Sequence, residues 1–223
     1  MEKELQKSFT TIPAIDFDDP ELIGAFQNFQ QYMMMYSCAI KEVKTKFEVL
    51  NSEFAVSANR NPIEMIKSRI KKPISIINKL KRKGLPLETE SILTGINDVA
   101  GIRIICSFIN DIYEIANMFS KQDDIKVIQT KDYIKNPKPN GYRSYHMIVE
   151  VPVFFSKMKR NMRVEVQLRT IAMDFWASLE HTMKYKKDIK NTAEIVAELK
   201  NCADSIAETD LKMQEISSRI AVG

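Results

Sequence analysis

The spacing of apolar residues changes twice along this chain, and that change limits the folds open to it. Near the start they recur as Leu22, Phe26, Phe29, Met33, Tyr36, Ile40, Val43, Phe47, Leu50 and Phe54, in steps of four and three. This heptad stripe predicts one long helix with a single covered face. Asp19-Pro20 supplies an N-cap and a first-turn proline for it. The far end repeats the pattern with Ile195, Leu199, Cys202, Ile206, Met213, Ile216 and Ile220, interrupted by Thr209. Each stripe can pack on the middle of the chain or pair with a helix of another subunit; the heptad alone does not choose.

The middle of the chain has a different period. The segments "GIRIICSF", "IKVIQT", "GYRSYHMIVEVPVFF" and "MRVEVQLRT" read as strands. "PISIINKLKRK", opened by Pro73 and ended by Gly84, reads as a short helix. So do "DIYEIANMFSKQ" and "AMDFWASLEHTMKYKK". Strands interleaved with helices predict an α+β fold, a mixed β-sheet covered by helices, with long helices at both ends. The expected division is a tail over 1–17, a long helix over 18–56, a central domain over 57–186 and a helical region over 187–223.

Alternation sorts the strand residues into faces. In "RVEVQLR", Arg163, Glu165, Gln167 and Arg169 share one side, and Val164, Val166 and Leu168 the other. In the preceding strand Tyr142, Ser144, His146, Ile148 and Glu150 fall together, with Tyr145, Met147, Val149 and Val151 opposite. The loop "SKMKRN" is short enough for a hairpin. Pairing would merge the two polar faces into one surface with a ring for stacking, cations for phosphate and carboxylates for Mg²⁺. A solvated sheet face is the plainer alternative.

Two further elements fit such a surface. Ser75, Lys79 and Arg82 form a polar stripe on the short helix, with Arg69 and Lys71 just before it, while Ile74, Ile77 and Leu80 can face the core. Asp98 precedes a strand in which Arg103 is the only charge, either an ion-pair partner or a site wall.

The ordered set Arg69-x-Lys71-x3-Ser75-x3-Lys79, Asp98-x4-Arg103, "KDYIKNPKPNGYRSYH" and Glu165-x-Gln167-x-Arg169 resembles the synthetase domain of RelA/SpoT-type enzymes over roughly residues 60–186. The resemblance implies a nucleotidyltransferase-like synthetase domain that makes (p)ppGpp. It implies transfer of the β,γ-pyrophosphate of ATP to the 3′-hydroxyl of GDP or GTP. Arg69 and Arg103 would sandwich adenine, and Lys71, Ser75 and Lys79 would hold the ATP phosphates. Asp98 and Glu165 would bind Mg²⁺, with Glu165 also orienting or deprotonating the 3′-hydroxyl. Tyr142 would stack on guanine beside Lys138 and Asn140. Lys131 and His146 would contact acceptor phosphates, and Gln167 would steady the acceptor. Neither of the two histidines is followed by aspartate, so the hydrolase motif of the large family members is not expected. One departure touches the acceptor: Gln129-Thr130-Lys131-Asp132 stands where larger members read Arg-x-Lys-Asp.

Some small members of the family are homotetramers, so the resemblance implies a homo-oligomer; no RNA or alarmone effector is assigned by the residues. A non-catalytic nucleotide- or RNA-binding regulator is the competing class, and it would not need both carboxylates. The longest apolar run, "YMMMYSCAI", is too short to span a bilayer, and the N-terminal stretch lacks a signal-peptide core. Three scattered cysteines, Cys38, Cys106 and Cys202, suggest buried free thiols and a reducing cytoplasm.

Overall fold

The computed structural model describes residues 20–57, 60–184 and 192–220. Five strands form one sheet: β1 (Ile63–Ile70), β2 (Ala100–Cys106), β3 (Lys126–Asp132), β4 (Tyr145–Phe154) and β5 (Lys159–Thr170). Their order across the sheet is β1-β2-β5-β4-β3. Only β2 and β5 run parallel; the other neighbours are antiparallel. The helices are α1 (Pro20–Ser57), α2 (Pro73–Arg82), α3 (Thr89–Gly95), α4 (Ile109–Ser120), α5 (Ile171–Lys184) and α6 (Thr192–Ile220). The expected α+β class, with a mixed sheet and long helices toward each end, is what the chain adopts. The tail over 1–17 lies outside the described residues.

The apolar face of the sheet carries the core. Val164, Val166 and Leu168 of β5 and Met147, Val149 and Val151 of β4 are buried, as the alternation predicts. α1 covers this face, resting on β1, β2, β4 and β5. Its buried residues include Tyr36, Ile40, Val43, Phe47, Leu50 and Phe54, so this stretch of the heptad stripe packs on its own domain. α4 adds Ile112, Ile115 and Phe119, and the Phe47 and Phe119 rings stack with centroids 4.3 Å apart.

α6 divides its stripe. Leu199 and Ala203 are buried against Trp176 and Ala177 of α5, and Trp176 Nε1 donates to the Leu199 carbonyl at 2.9 Å. Beyond this, Leu211, Met213, Ile216 and Ile220 are exposed.

Four expectations change. β1 was not expected as a strand: it lies at the sheet edge, with a register shift between Ile63 and Met65, and most of its residues are exposed. On α2 the buried residues are Ile76 and Leu80, whereas Ile74 and Ile77 are exposed. Ser144 is fully buried before the start of β4 rather than on the open face. Of the thiols, only Cys106 is buried; Cys38 is half-buried and Cys202 exposed.

Candidate active site

The other face of the sheet is polar, and its register assembles most of the residues singled out above. One row crosses all five strands as Lys67, Arg103, Gln167, His146 and Lys131. The next row reads Arg69, Gly101, Glu165, Ile148 and Gln129. Directly paired residues share a face, so these ten positions form one surface. The irregularity between Val127 and Gln129 puts Gln129 and Lys131 in phase with it.

Two hollows open on this surface, on either side of the β5 carboxylate. The first, of about 200 Å³, is lined by Lys67, Ser68, Arg69, Gly101, Arg103 and Gln167. Gly101 has no side chain to fill the space between Arg69 and Glu165. Arg103 Nε is buried here without a hydrogen-bond partner among the described residues. The second, of about 220 Å³, is lined by Gln129, Lys131, Tyr133, Lys138, His146 and Glu165.

Asp98 stands beside the first hollow, in the turn that leads into β2. Its carboxylate accepts from Lys71 Nζ at 2.6 Å and lies 2.8 Å from Lys79 Nζ. Burial pushes the Asp98 carboxyl up, but the two ammonium groups outweigh this and hold it below its ordinary value. No side chain caps α2, whose first turn carries Ser75. An uncapped helix start flanked by lysines suits a phosphate chain.

The depressed Asp98 value has a consequence for stability. A carboxylate whose folded value lies below its unfolded one stabilises the fold above the ordinary range near pH ~4. That contribution is lost as pH falls through the depressed value. The difference in melting temperature between the wild type and Asp98→Asn is therefore widest near neutrality and narrows as pH falls to where the folded carboxyl takes up its proton. Calorimetry across pH checks this; a gap constant down to that pH contradicts it.

Glu165 lies deeper. Burial pushes its carboxyl up, and the neighbouring His146 with the Gln167 amide more than reverses this, leaving it below the usual value. Gln167 Nε2 donates to Glu165 Oε2 at 2.9 Å, and His146 Nδ1 is 3.5 Å from Glu165 Oε1. The Asp98 charge reaches Glu165 as well, so the two carboxylates share one electrostatic environment. Paired carboxylate oxygens beside a phosphate-binding face suit Mg²⁺, which commonly takes one or two carboxylates and completes its shell with phosphate and water. Among the described residues no cluster of three or more His, Cys, Asp or Glu side chains forms a metal cage.

The second hollow is bordered by rings. Tyr133 meets Tyr142 and His146 edge-on, with centroids 6.0 and 5.2 Å away. Lys138 Nζ lies 4.7 Å from both tyrosine centroids, in the slot between them. The Tyr142 hydroxyl shares a hydrogen bond of 2.8 Å with His146 Nε2. Asn140 turns away: its Nδ2 donates to Glu180 Oε1 at 3.0 Å, while its Oδ1 accepts from the Tyr142 amide.

Gln167 lines the first hollow, whereas the resemblance gives it to the acceptor. Arg103 is both of the things the sequence allowed: it walls that hollow and pairs with Asp174 Oδ1 at 3.0 Å. Sequence reasoning missed Lys67 and Tyr133, and it missed Asp174. A lysine on an irregular edge strand, a tyrosine in a loop and an acid in an amphipathic helix carry no signal by themselves.

The fold and this face define an enzyme-like domain whose polar surface, with two hollows on either side of Glu165, suits nucleotides. Residues 68–190, over half of the chain, match the region found in RelA / SpoT proteins, and the chain belongs to that family. It is 45% identical over 166 residues to GTP pyrophosphokinase YwaC of Bacillus subtilis (strain 168), spanning 74% of this chain and 79% of that protein. Small alarmone synthetase 1 from Bacillus subtilis, in a crystal structure bound to its product pppGpp, superposes with a TM-score of 0.80 at 32% identity. That match covers 87% of this chain and 98% of the other. The same synthetase bound to AMPCPP matches with a TM-score of 0.74 at 28% identity, covering 88% and 100%.

Proposed function

We propose that this chain is a (p)ppGpp synthetase that transfers the β,γ-pyrophosphate of ATP to the 3′-hydroxyl of GDP or GTP. The observation that carries the reading is the pair of hollows on either side of Glu165, one walled by Arg69 and Arg103 and one lined by Tyr133, Lys138 and His146. Relatives named GTP pyrophosphokinase and small alarmone synthetase support it.

In this reading adenine enters between Arg69 and Arg103, whose planar guanidinium groups stack on a base. Lys71, Ser75 and Lys79 receive the phosphates, the lysines exchanging Asp98 for a more highly charged partner. Guanine takes the slot now held by the Lys138 ammonium and stacks on Tyr142. Lys131 and His146 face its phosphates, with Asn140 holding the turn and Gln167 steadying Glu165. Glu165 accepts the proton of the 3′-hydroxyl as its oxygen bonds to the β-phosphorus. The bond from that phosphorus to the α–β bridging oxygen breaks, and AMP leaves with the bridging oxygen. A Mg²⁺ ion held by Asp98 and Glu165 would neutralise phosphate charge. Positioning and charge neutralisation are what such a transfer chiefly requires.

The reading assigns catalysis to residues 57–186 and places it in the cytoplasm, in keeping with the free thiols among the described residues. No described helix is long and apolar enough to cross a membrane. It also includes self-association as a homo-oligomer, by family resemblance a homotetramer; the exposed apolar end of α6 supports this. The direct test is chromatography after incubation with ATP, Mg²⁺ and either acceptor. AMP and a guanosine 3′-pyrophosphate form in equal amounts. Absence of both with GDP and with GTP overturns the proposal.

A further inference from the structure

Asp174 lines neither hollow, yet it touches the wall of the first directly and reaches the Tyr142 ring beside the second through Arg169. It sits in the first turn of α5, buried, under the polar face of the sheet. Its Oδ1 accepts from Arg103 Nη1 at 3.0 Å and from Arg169 Nη1 at 3.1 Å. Its Oδ2 accepts from Lys67 Nζ at 3.3 Å. Arg103 and Lys67 belong to the arginine-walled hollow. Arg169 turns its other nitrogen the opposite way: Nη2 donates to the Tyr142 hydroxyl at 2.6 Å and to Gln167 Oε1 at 3.3 Å. Its Nε points to Ser144 Oγ at 3.4 Å, which in turn donates to the Leu168 carbonyl. The chain of contacts then runs from Tyr142 to His146 and on to Glu165.

Charge makes the carboxylate indispensable to this arrangement. Burial and the adjacent Arg169 guanidinium both lower the Arg103 value, and Asp174 opposes them. Without Asp174, three cations would crowd one half-buried spot with nothing to hold them together. They would separate, moving Arg103 and Lys67 in the wall of the first hollow and, through Arg169, the Tyr142 ring beside the second. Arg169 suits the bridge because its planar fork donates in two directions at once, which a lysine cannot do.

We infer that Asp174 is a positioning residue that sets the walls of both nucleotide pockets, holding Arg103 on the donor side directly and Tyr142 on the acceptor side through Arg169. The assignment of donor and acceptor sides rests on the synthetase reading; the shared anchor does not.

The test is steady-state kinetics of Asp174→Asn beside the wild type, with binding of ATP and of GDP measured separately by calorimetry. The substitution keeps the side-chain shape and removes the charge. KM for ATP and KM for the acceptor each rise about tenfold or more, as loss of charge-assisted hydrogen bonds implies. A fall in kcat with either KM unchanged overturns the inference, because a merely structural role lowers the active fraction and not the affinity. If Asp174→Asn yields no cooperative melt, Arg169→Lys decides. It raises the acceptor KM about tenfold and leaves the ATP KM within about twofold. An unchanged acceptor KM overturns the inference. The calorimetry separates the two claims. A wild type that binds both nucleotides but transfers nothing sinks the synthetase reading. Weakening of both binding events in Asp174→Asn would still uphold the anchor.

Discussion

Glu165→Gln lowers kcat by about 10³-fold while the protein melts within a few degrees of the wild type. Glutamine keeps the shape and can still accept from the Gln167 amide, which lies 2.9 Å away. It cannot take a proton from a 3′-hydroxyl, and its neutral oxygen is a poor partner for a divalent cation. General-base catalysis contributes about 10²–10⁴-fold, and removal of one preorganised electrostatic contact about 10²–10³-fold. Because burial opposes ionisation and His146 with Gln167 favours it, the carboxylate is already ionised at neutral pH. The activity of the wild type therefore shows no acid limb from Glu165 until pH falls below the ordinary carboxylate range near ~4. Stopped-time assays of AMP release measure the rate loss. A loss under about tenfold would remove Glu165 from the chemistry.

Gly141→Ala produces the second large effect, on stability and on the acceptor side together. Gly141 has a φ of +87°, a region that costs an L residue roughly 1–2 kcal/mol. An added Cβ would lie 2.5 Å from the Ala203 Cβ and 3.3 Å from the Lys200 Cα. Those atoms belong to α6, which Arg143 ties to this turn through Asp204 Oδ1 at 3.0 Å and the Ala203 carbonyl at 3.2 Å. Overpacking of that kind adds about 1–3 kcal/mol. The sum, about 3 kcal/mol, lowers the melting temperature by roughly 10 °C in a chain of this size. Displacement of the turn also moves the adjacent Tyr142, so the acceptor KM rises while the ATP KM holds. Gly141→Ala costs less in an Ala203→Gly background than in the wild type, because the closer clash is gone while the Lys200 contact and the backbone part remain. An equal cost in both backgrounds would show that the contact with Ala203 is not the source.

The residues that sequence reasoning placed well are those on regular strands. Along β5, Arg163, Glu165 and Gln167 alternate with buried Val164, Val166 and Leu168, so one polar face was legible from period alone. The gathering of distant segments was legible only through family resemblance, because no local rule says that β2 lies parallel to β5. β1 escaped because an edge strand exposed along most of its length buries too few residues to leave an apolar pattern. The phase of α2 was misjudged because Ile74, Ile76 and Ile77 crowd its first turn, and only the tertiary fold shows that Ile76 is the buried one. Ser144 was placed on the open face by extending the β4 alternation to a residue that precedes the strand, where its hydroxyl turns to the Leu168 carbonyl instead. Asp174 gave no signal, since its meaning depends on three cations from three strands meeting it in space.

The same geometry explains how one sheet face can serve two nucleotides. β2 and β1 bring the arginines to one side of β5, while β4 and β3 bring the imidazole, the Lys131 ammonium and the Gln129 amide to the other. Gln129, the residue that departs from the larger relatives, lines the hollow that the proposed reading gives to the acceptor. It is therefore placed to influence whether GDP or GTP is preferred.

The central claim is that a pyrophosphoryl group moves as a unit across Glu165 from one hollow to the other. ATP labelled with ³²P at the β position, incubated with the protein, Mg²⁺ and GDP, tests it most directly. The account predicts unlabelled AMP, a labelled guanosine product carrying pyrophosphate at the 3′ position, and no such product with Glu165→Gln. Label retained in ADP, or in free pyrophosphate with no guanosine product, would contradict it.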